Sequence, residues 1–87
     1  MAIVTLRYWA AAKDAAGVAD QKVEAVTLAD ALAAGVVAAG DHSGRLSQVL
    51  ARSSFLVNGE PAGTRPTESI TLGDEAIVEV LPPFAGG

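Results

Sequence analysis

Two adjacent prolines near the end of the chain, Pro82 and Pro83, close a run of branched apolar residues from Ile77 to Leu81 and fix where a β-sheet has to stop. Each proline locks φ and removes a backbone donor, so a sheet ladder does not continue through the pair. The chain therefore divides into a folded body over 1–81 and an extended tail over 82–87, Pro82-Pro83-Phe84-Ala85-Gly86-Gly87. In the last strand Ala76, Val78 and Val80 share one face, while Ile77, Glu79 and Leu81 share the other. Glu79 marks that second face as the outer one. Ile77 and Leu81 then become exposed apolar residues next to the tail, which is the pattern of a docking surface.

The rest of the body reads as alternating strand and helix. Ile3 to Trp9 alternates with period two, Val4, Leu6 and Tyr8 facing a core and Thr5 and Arg7 facing out. Ala10 to Gly17 is expected to be a short turn, with Lys13-Asp14 on the surface and Gly17 available for a positive φ. A second strand over Gln21 to Val26 pairs with the first as a hairpin. Thr27 then opens a helix as its N-cap, with Asp30 placed to reach back and Leu28, Ala31, Leu32, Val36 and Ala39 at helical spacing. Gly40 ends it, and Gly35 sits in its interior at a cost of about 1 kcal/mol relative to alanine. Leu46, Val49 and Leu50 mark a short second helix, Ser54 to Val57 a strand, Asn58-Gly59 a tight turn, Glu60 to Glu68 an exposed connection, and Leu72-Gly73-Asp74-Glu75 the turn into the final strand. Strand, strand, helix, helical turn, strand, turn, strand is the order of an α+β unit with one main helix across a mixed sheet, the β-grasp (ubiquitin-like) fold.

The body offers no active site. The chain has no cysteine and one histidine, so thiol chemistry and a transition-metal site are not expected. Asp41-His42-Ser43 brings the three residue types of a catalytic triad together, but neighbours in one loop do not form the relay, and Asp and Ser there suit a helix start. No phosphate-binding glycine loop with a lysine is present, so the chain is not expected to bind ATP by that motif. The net charge of −4 argues against nucleic acid and for a basic protein surface as partner. No apolar run reaches the ~20 residues of a membrane span, and a secretory leader is not seen, so a cytoplasmic location and no membrane contact are expected.

By elimination the reactive group is the terminal carboxylate of Gly87. With an ordinary pKa of roughly 3.3–3.7 it is ionised and a poor electrophile, so it needs activation from outside. Pro82-Pro83 holds the tail off the body, Phe84 supplies an aromatic anchor, and Ala85-Gly86-Gly87 is slim enough to thread a narrow slot.

Val57-Asn58-Gly59-Glu60, Leu72-Gly73-Asp74-Glu75, Val78 to Leu81 with Pro82-Pro83-Phe84-Ala85-Gly86-Gly87, and Tyr8-Trp9-Ala10-Ala11-Ala12-Lys13-Asp14 closed by Gly17 resemble the MoaD/ThiS family of β-grasp sulfur carriers. The Pro-Pro step favours its MoaD branch, the small subunits of molybdopterin synthase. Two departures are Lys13-Asp14, where an Arg-Glu pair is usual, and Phe84, where a smaller aliphatic residue is usual. The resemblance implies a non-catalytic carrier with no stably bound cofactor. A MoeB/E1-like enzyme would use ATP to adenylate Gly87, a sulfur donor would convert it to a thiocarboxylate, and a MoaE-like large subunit would receive the tail and pass the sulfur to a pterin precursor in molybdenum cofactor biosynthesis. Ile77, Leu81, Pro82, Pro83, Phe84, Ala85 and Gly86 would contact these partners in a hetero-oligomer. Sulfur delivery to thiamine, cysteine or another metabolite, and a ubiquitin-like modifier joined through Gly87 to a lysine, remain open beside it.

Overall fold

In a computed structural model that describes residues 2–83, the chain runs β1 (Ala2–Tyr8), α1 (Ala10–Ala16), β2 (Asp20–Ala25), α2 (Leu28–Ala39), α3 (Arg45–Arg52), β3 (Ser54–Val57), β4 (Glu60–Pro61), a 3-10 turn (Thr67–Ser69) and β5 (Ile77–Leu81). The strands form one mixed sheet in the order β2-β1-β5-β3-β4. Its centre is a parallel pairing of the first and last strands, with Thr5 opposite Ile77 and Tyr8 opposite Val80. Antiparallel pairs flank it on both sides, β1 with β2 and β5 with β3.

Alternation sets which face is buried. Val4, Leu6, Val78 and Val80 are fully buried and Tyr8 nearly so, all on the side that α2 and α3 cover. Helix α2 adds Leu28 and Ala31, and α3 adds Leu46, Val49 and Leu50 from a single stripe. Among the described residues no polar or charged side chain is buried. The Tyr8 ring lies in this core with its hydroxyl 3.0 Å from Gln21 Oε1, and burial pushes the phenol pKa up to about 12, so it stays a neutral donor.

The start of α2 matches its sequence signals. Thr27 Oγ1 accepts from the Asp30 N–H at 3.2 Å while Asp30 Oδ2 accepts from the Thr27 N–H at 3.2 Å, a reciprocal capping box. Gly40 closes the helix with φ of 63°.

Three local expectations need correction. The stretch Ala10 to Gly17 is a helix, not a turn: alanine is the strongest helix former, Ala12 is fully buried, α1 packs against α3, and Gly17 at φ 80° supplies the left-handed cap through its N–H to Lys13 O at 2.9 Å. The first two strands pair antiparallel as expected, with this helix in the connection between them. The Glu60 to Glu68 connection is largely exposed, but it contains the two-residue strand β4 on the sheet edge, and Ala62 is buried at 3% exposure.

Gly35 also finds its reason here. A methyl added at its Cα would fall 2.5 Å from Tyr8 Oη and 2.6 Å from Leu6 Cδ1, so glycine lets α2 lie directly on β1. Helix propensity alone favours Gly35→Ala by about 1 kcal/mol, whereas forcing a methyl into a filled core costs typically about 1–3 kcal/mol. The packing term acts on two buried side chains and wins. Gly35→Ala is expected to lower the urea midpoint, and an unchanged or raised midpoint would show that α2 can lift off the sheet at little cost.

Candidate functional site

The side of the sheet away from the helices carries the candidate site. Because β1 and β5 pair in parallel, their outward residues form adjacent rows: Ile3, Thr5 and Arg7 on β1, and Ile77, Glu79 and Leu81 on β5. Leu56 of β3 lies opposite Glu79 and extends the surface. Ile3 is 46% exposed and Ile77 37%, and together with Thr5, Lys22, Asp74 and Glu75 they line an open groove of about 620 Å³. Leu81 and Pro82 are half-buried, and Pro83 is exposed. The strand stops at Leu81, directly before the two prolines. Phe84, Ala85, Gly86 and Gly87 lie outside the described residues.

Two turns fix the start of β5. Asn58 and Gly59 both have positive φ, 51° and 85°, as the two-residue hairpin requires. Asn58 also clamps the start of β5: its N–H donates to Ile77 O at 2.8 Å, and its Oδ1 accepts from the Ile77 N–H at 2.9 Å. The Gly73-Asp74-Glu75 turn docks on β1, with the Glu75 N–H donating to Ile3 O at 2.8 Å and Asp74 Oδ1 accepting from the Ile3 N–H at 3.3 Å. The two motifs thus hold the last strand in register on either side.

The other end of β5, where the tail leaves, is bordered by Trp9. One residue past the Tyr8–Val80 pair, its N–H donates to Val80 O at 3.3 Å, and its indole Nε1–H donates to Glu79 Oε1 at 3.2 Å. The ring is 46% exposed. Ala10, the next residue, has φ of 49°, a left-handed conformation that costs a non-glycine residue roughly 1–2 kcal/mol. Sequence reasoning named Ile77 and Leu81 for this face but missed Trp9, Ile3 and Leu56. Parity was the available signal, since Ile3 and Trp9 fall on the same odd positions as Thr5 and Arg7.

Asp41-His42-Ser43 does not form a relay. Asp41 Oδ1 accepts from the Leu46 N–H at 3.0 Å, and its Oδ2 accepts from the Ser47 N–H at 3.1 Å and Ser47 Oγ at 2.9 Å, so the carboxylate caps the first turn of α3. Lys13 and Asp14 are exposed on α1. Among the described residues no group of three or more His, Cys, Asp or Glu is arranged to hold a metal, and no helix is long and apolar enough to cross a membrane.

Fold and sheet together define a ubiquitin-like β-grasp protein, the fold expected from the MoaD/ThiS resemblance. Solved structures with this fold include SAMP1 from Haloferax volcanii, with a TM-score of 0.76 and 24% identity over 98% of this chain and 99% of that one. A putative molybdopterin converting factor subunit 1 from Pyrococcus furiosus aligns with a TM-score of 0.73 and 20% identity over 97% of this chain and all of the other. The complex of subunits 1 and 2 of molybdopterin-converting factor from Helicobacter pylori contributes a further match, TM-score 0.67 and 19% identity over 98% and 99%. No family model and no curated protein matches the chain.

Variants at two positions test these contacts. Asn58→Gly keeps the turn but loses the side-chain clamp and is expected to lose about 0.5–1.5 kcal/mol in urea unfolding; Asn58→Ala adds left-handed strain of a further ~1–2 kcal/mol. Equal stability of the two would remove the turn geometry from the account. At Asp41, hydrogen bonding from Leu46 and then Ser47 holds the carboxyl pKa below its ordinary value. A lowered folded pKa gives stability that is full above the unfolded carboxylate pKa and is lost as pH falls through the folded value. Asp41→Asn should therefore flatten the acid limb of a stability–pH curve between those two values, and an unaltered limb would show that the cap is not ionic.

Proposed function

We propose that this chain is a sulfur carrier whose Gly87 carboxylate is activated and thiocarboxylated, acting as the small subunit of a molybdopterin synthase. The reading is carried by one observation: the central strand of a β-grasp sheet ends at Leu81 and runs without a linker into Pro82-Pro83 and the Gly-Gly tail. The body supplies a rigid base and an apolar face, and the chemistry belongs to the tail and to its partners. An E1-like enzyme joins the Gly87 carboxylate to the α-phosphate of ATP and releases pyrophosphate. A sulfide-equivalent donor then attacks the acyl carbon, AMP leaves, and a thiocarboxylate remains. In this role the chain contributes no catalytic side chain. Ile77, Leu81, Pro82 and Pro83 seat the body on the partner, and Phe84 to Gly86 enter its channel. A large subunit like the second component of the Helicobacter pylori complex would receive the sulfur and pass it to a pterin.

A second reading is favoured by the structural likeness to small archaeal modifier proteins. The same acyl adenylate, attacked by a lysine amine, would give an amide and a protein conjugate. Delivery of the sulfur to thiamine, cysteine or another metabolite differs only in the acceptor.

Incubation with an E1-like activating enzyme, ATP and a sulfide source separates these outcomes by intact mass. An oxygen-to-sulfur exchange that fragmentation places at Gly87 is expected for the carrier. An amide to lysine with no sulfur gain would replace it by the modifier. Deletion of Gly87 should abolish either reaction while leaving the thermal midpoint unchanged; a large drop in that midpoint would make the tail a structural element.

A further inference from the structure

The two edges of the sheet are built differently. The β4 edge is two residues long and carries Pro61, both of which blunt an edge against a foreign strand. The β2 edge runs for six residues, Asp20–Ala25, with no proline, glycine or bulge: its register on β1 advances one for one from Arg7–Asp20 to Ala2–Ala25. Tyr8 N–H donates to Ala19 O at 2.7 Å, so the backbone groups of Gln21 and Val23 turn to β1 and those of Lys22 and Glu24 turn away from the sheet. Among the described residues no strand pairs with that side.

Charge gives this edge a register. Asp20 is held by Arg7 at 3.3 Å, the one ion pair among the described residues, so Lys22 and Glu24 have no such partner there. Antiparallel pairing of β2 with a second β2 about a two-fold axis at Val23 sets Lys22 opposite Glu24 of the other copy, twice, and leaves both Arg7–Asp20 pairs intact. An axis at Lys22 or at Glu24 opposes like charges. An axis at Gln21 draws Lys22 to Asp20, which Arg7 already engages, and shortens the overlap.

The helix above the edge agrees. Helix α2 rests on β2 and β1, and its exposed positions Ala33, Val37 and Ala38 are all apolar. Its one charged residue, Asp30, is engaged in the capping box. A surface helix bordered only by water carries a polar outer face. Two copies joined at β2 put both α2 helices on one side of the joined sheet, next to each other, where alanines permit close approach.

We propose that β2 is a homotypic docking edge: a second copy of this chain adds its own β2 antiparallel, with Lys22 of each copy opposite Glu24 of the other and the two α2 helices side by side. The pairing is independent of the reading of Gly87. It leaves Ile77, Leu81 and the root of the tail uncovered, because β1 stands between β5 and this edge. One strand and one helix from each copy make a small interface of the reversible class.

The test uses the full chain. In sedimentation velocity the unmutated protein is expected to pass from monomer toward dimer between about 10 µM and about 1 mM, the range of a small interface. Over that range the Lys22 and Glu24 amides, which point out of the sheet of a single copy, should slow in hydrogen exchange by about 10-fold, while those of Gln21 and Val23 stay protected throughout. Lys22→Glu and Glu24→Lys should each weaken the dimer about 10-fold, since both cross-strand pairs then become like-charged. Mixing the two variants should restore association, because each meets the opposite charge in the other, and the double exchange K22E/E24K should pair with itself. A chain that stays monomeric across the range, or Lys22 and Glu24 amides whose exchange does not change with concentration, overturns the proposal. A dimer that both single variants leave intact, or that mixing them fails to restore, also overturns it. Exchange is read on the unmutated chain, so a misfolded variant does not obscure the answer.

Discussion

The parallel pairing of β1 with β5 is the contact on which the architecture depends. It joins the two ends of the described chain at the middle of the sheet, with β2 on one flank and β3 on the other, so the chain between β2 and β3 has to cross the sheet's face. Helix α2 makes the crossing, which is why its packing on β1 is close enough to exclude a methyl at Gly35. The side chains that the pairing buries, Val4, Leu6, Val78 and Val80, are fully enclosed, and they are the ones that hold the terminal strand in place. A tail that follows β5 is thereby rooted in a central strand of the sheet.

The same pairing produces the open face. Strands in register share their outward rows, and among the described residues no element covers the row of Ile3, Thr5 and Arg7 beside that of Ile77, Glu79 and Leu81. Sheets with one solvated face normally carry polar side chains there. Here Ile3, Ile77 and Leu81 take three of the six places, Glu79 lies opposite Arg7 between them, and Asp74 and Glu75 border the groove. That distribution supports the proposed docking role over a merely solvated face, because scattered single apolar residues would not line one groove.

Much of this was legible in the sequence where a local rule and the tertiary environment agree. Thr27, Asp30 and Gly40 bound α2 through hydrogen bonds made within a few residues, and period-two alternation in β1 and β5 gave the buried and exposed rows directly. The segment after Trp9 was not legible, because Lys13-Asp14 and Gly17 carry turn signals while the alanines carry helical propensity. A helix of only seven residues is marginal until it packs, so contact with α3 decided it. Strand β4 is too short to show a period at all. The contacts at the tail root were hidden for another reason: Trp9 and Glu79 are separated by 70 positions, and only the register of the parallel pair brings them together.

That register also bears on why a chain of this size can separate docking from chemistry. Asn58 and the Gly73-Asp74-Glu75 turn fix β5 through backbone hydrogen bonds at its start, and Trp9 borders it at its end. Among the described residues, strand position is therefore set by contacts within the body. A terminal segment relieved of that duty can be slim and free of bulky side chains, as Ala85-Gly86-Gly87 is. In the proposed role, the apolar sheet face and the prolines seat a partner beside the point where the tail begins. Under the proposed carrier function, placement by the body would take the part of catalytic side chains within it.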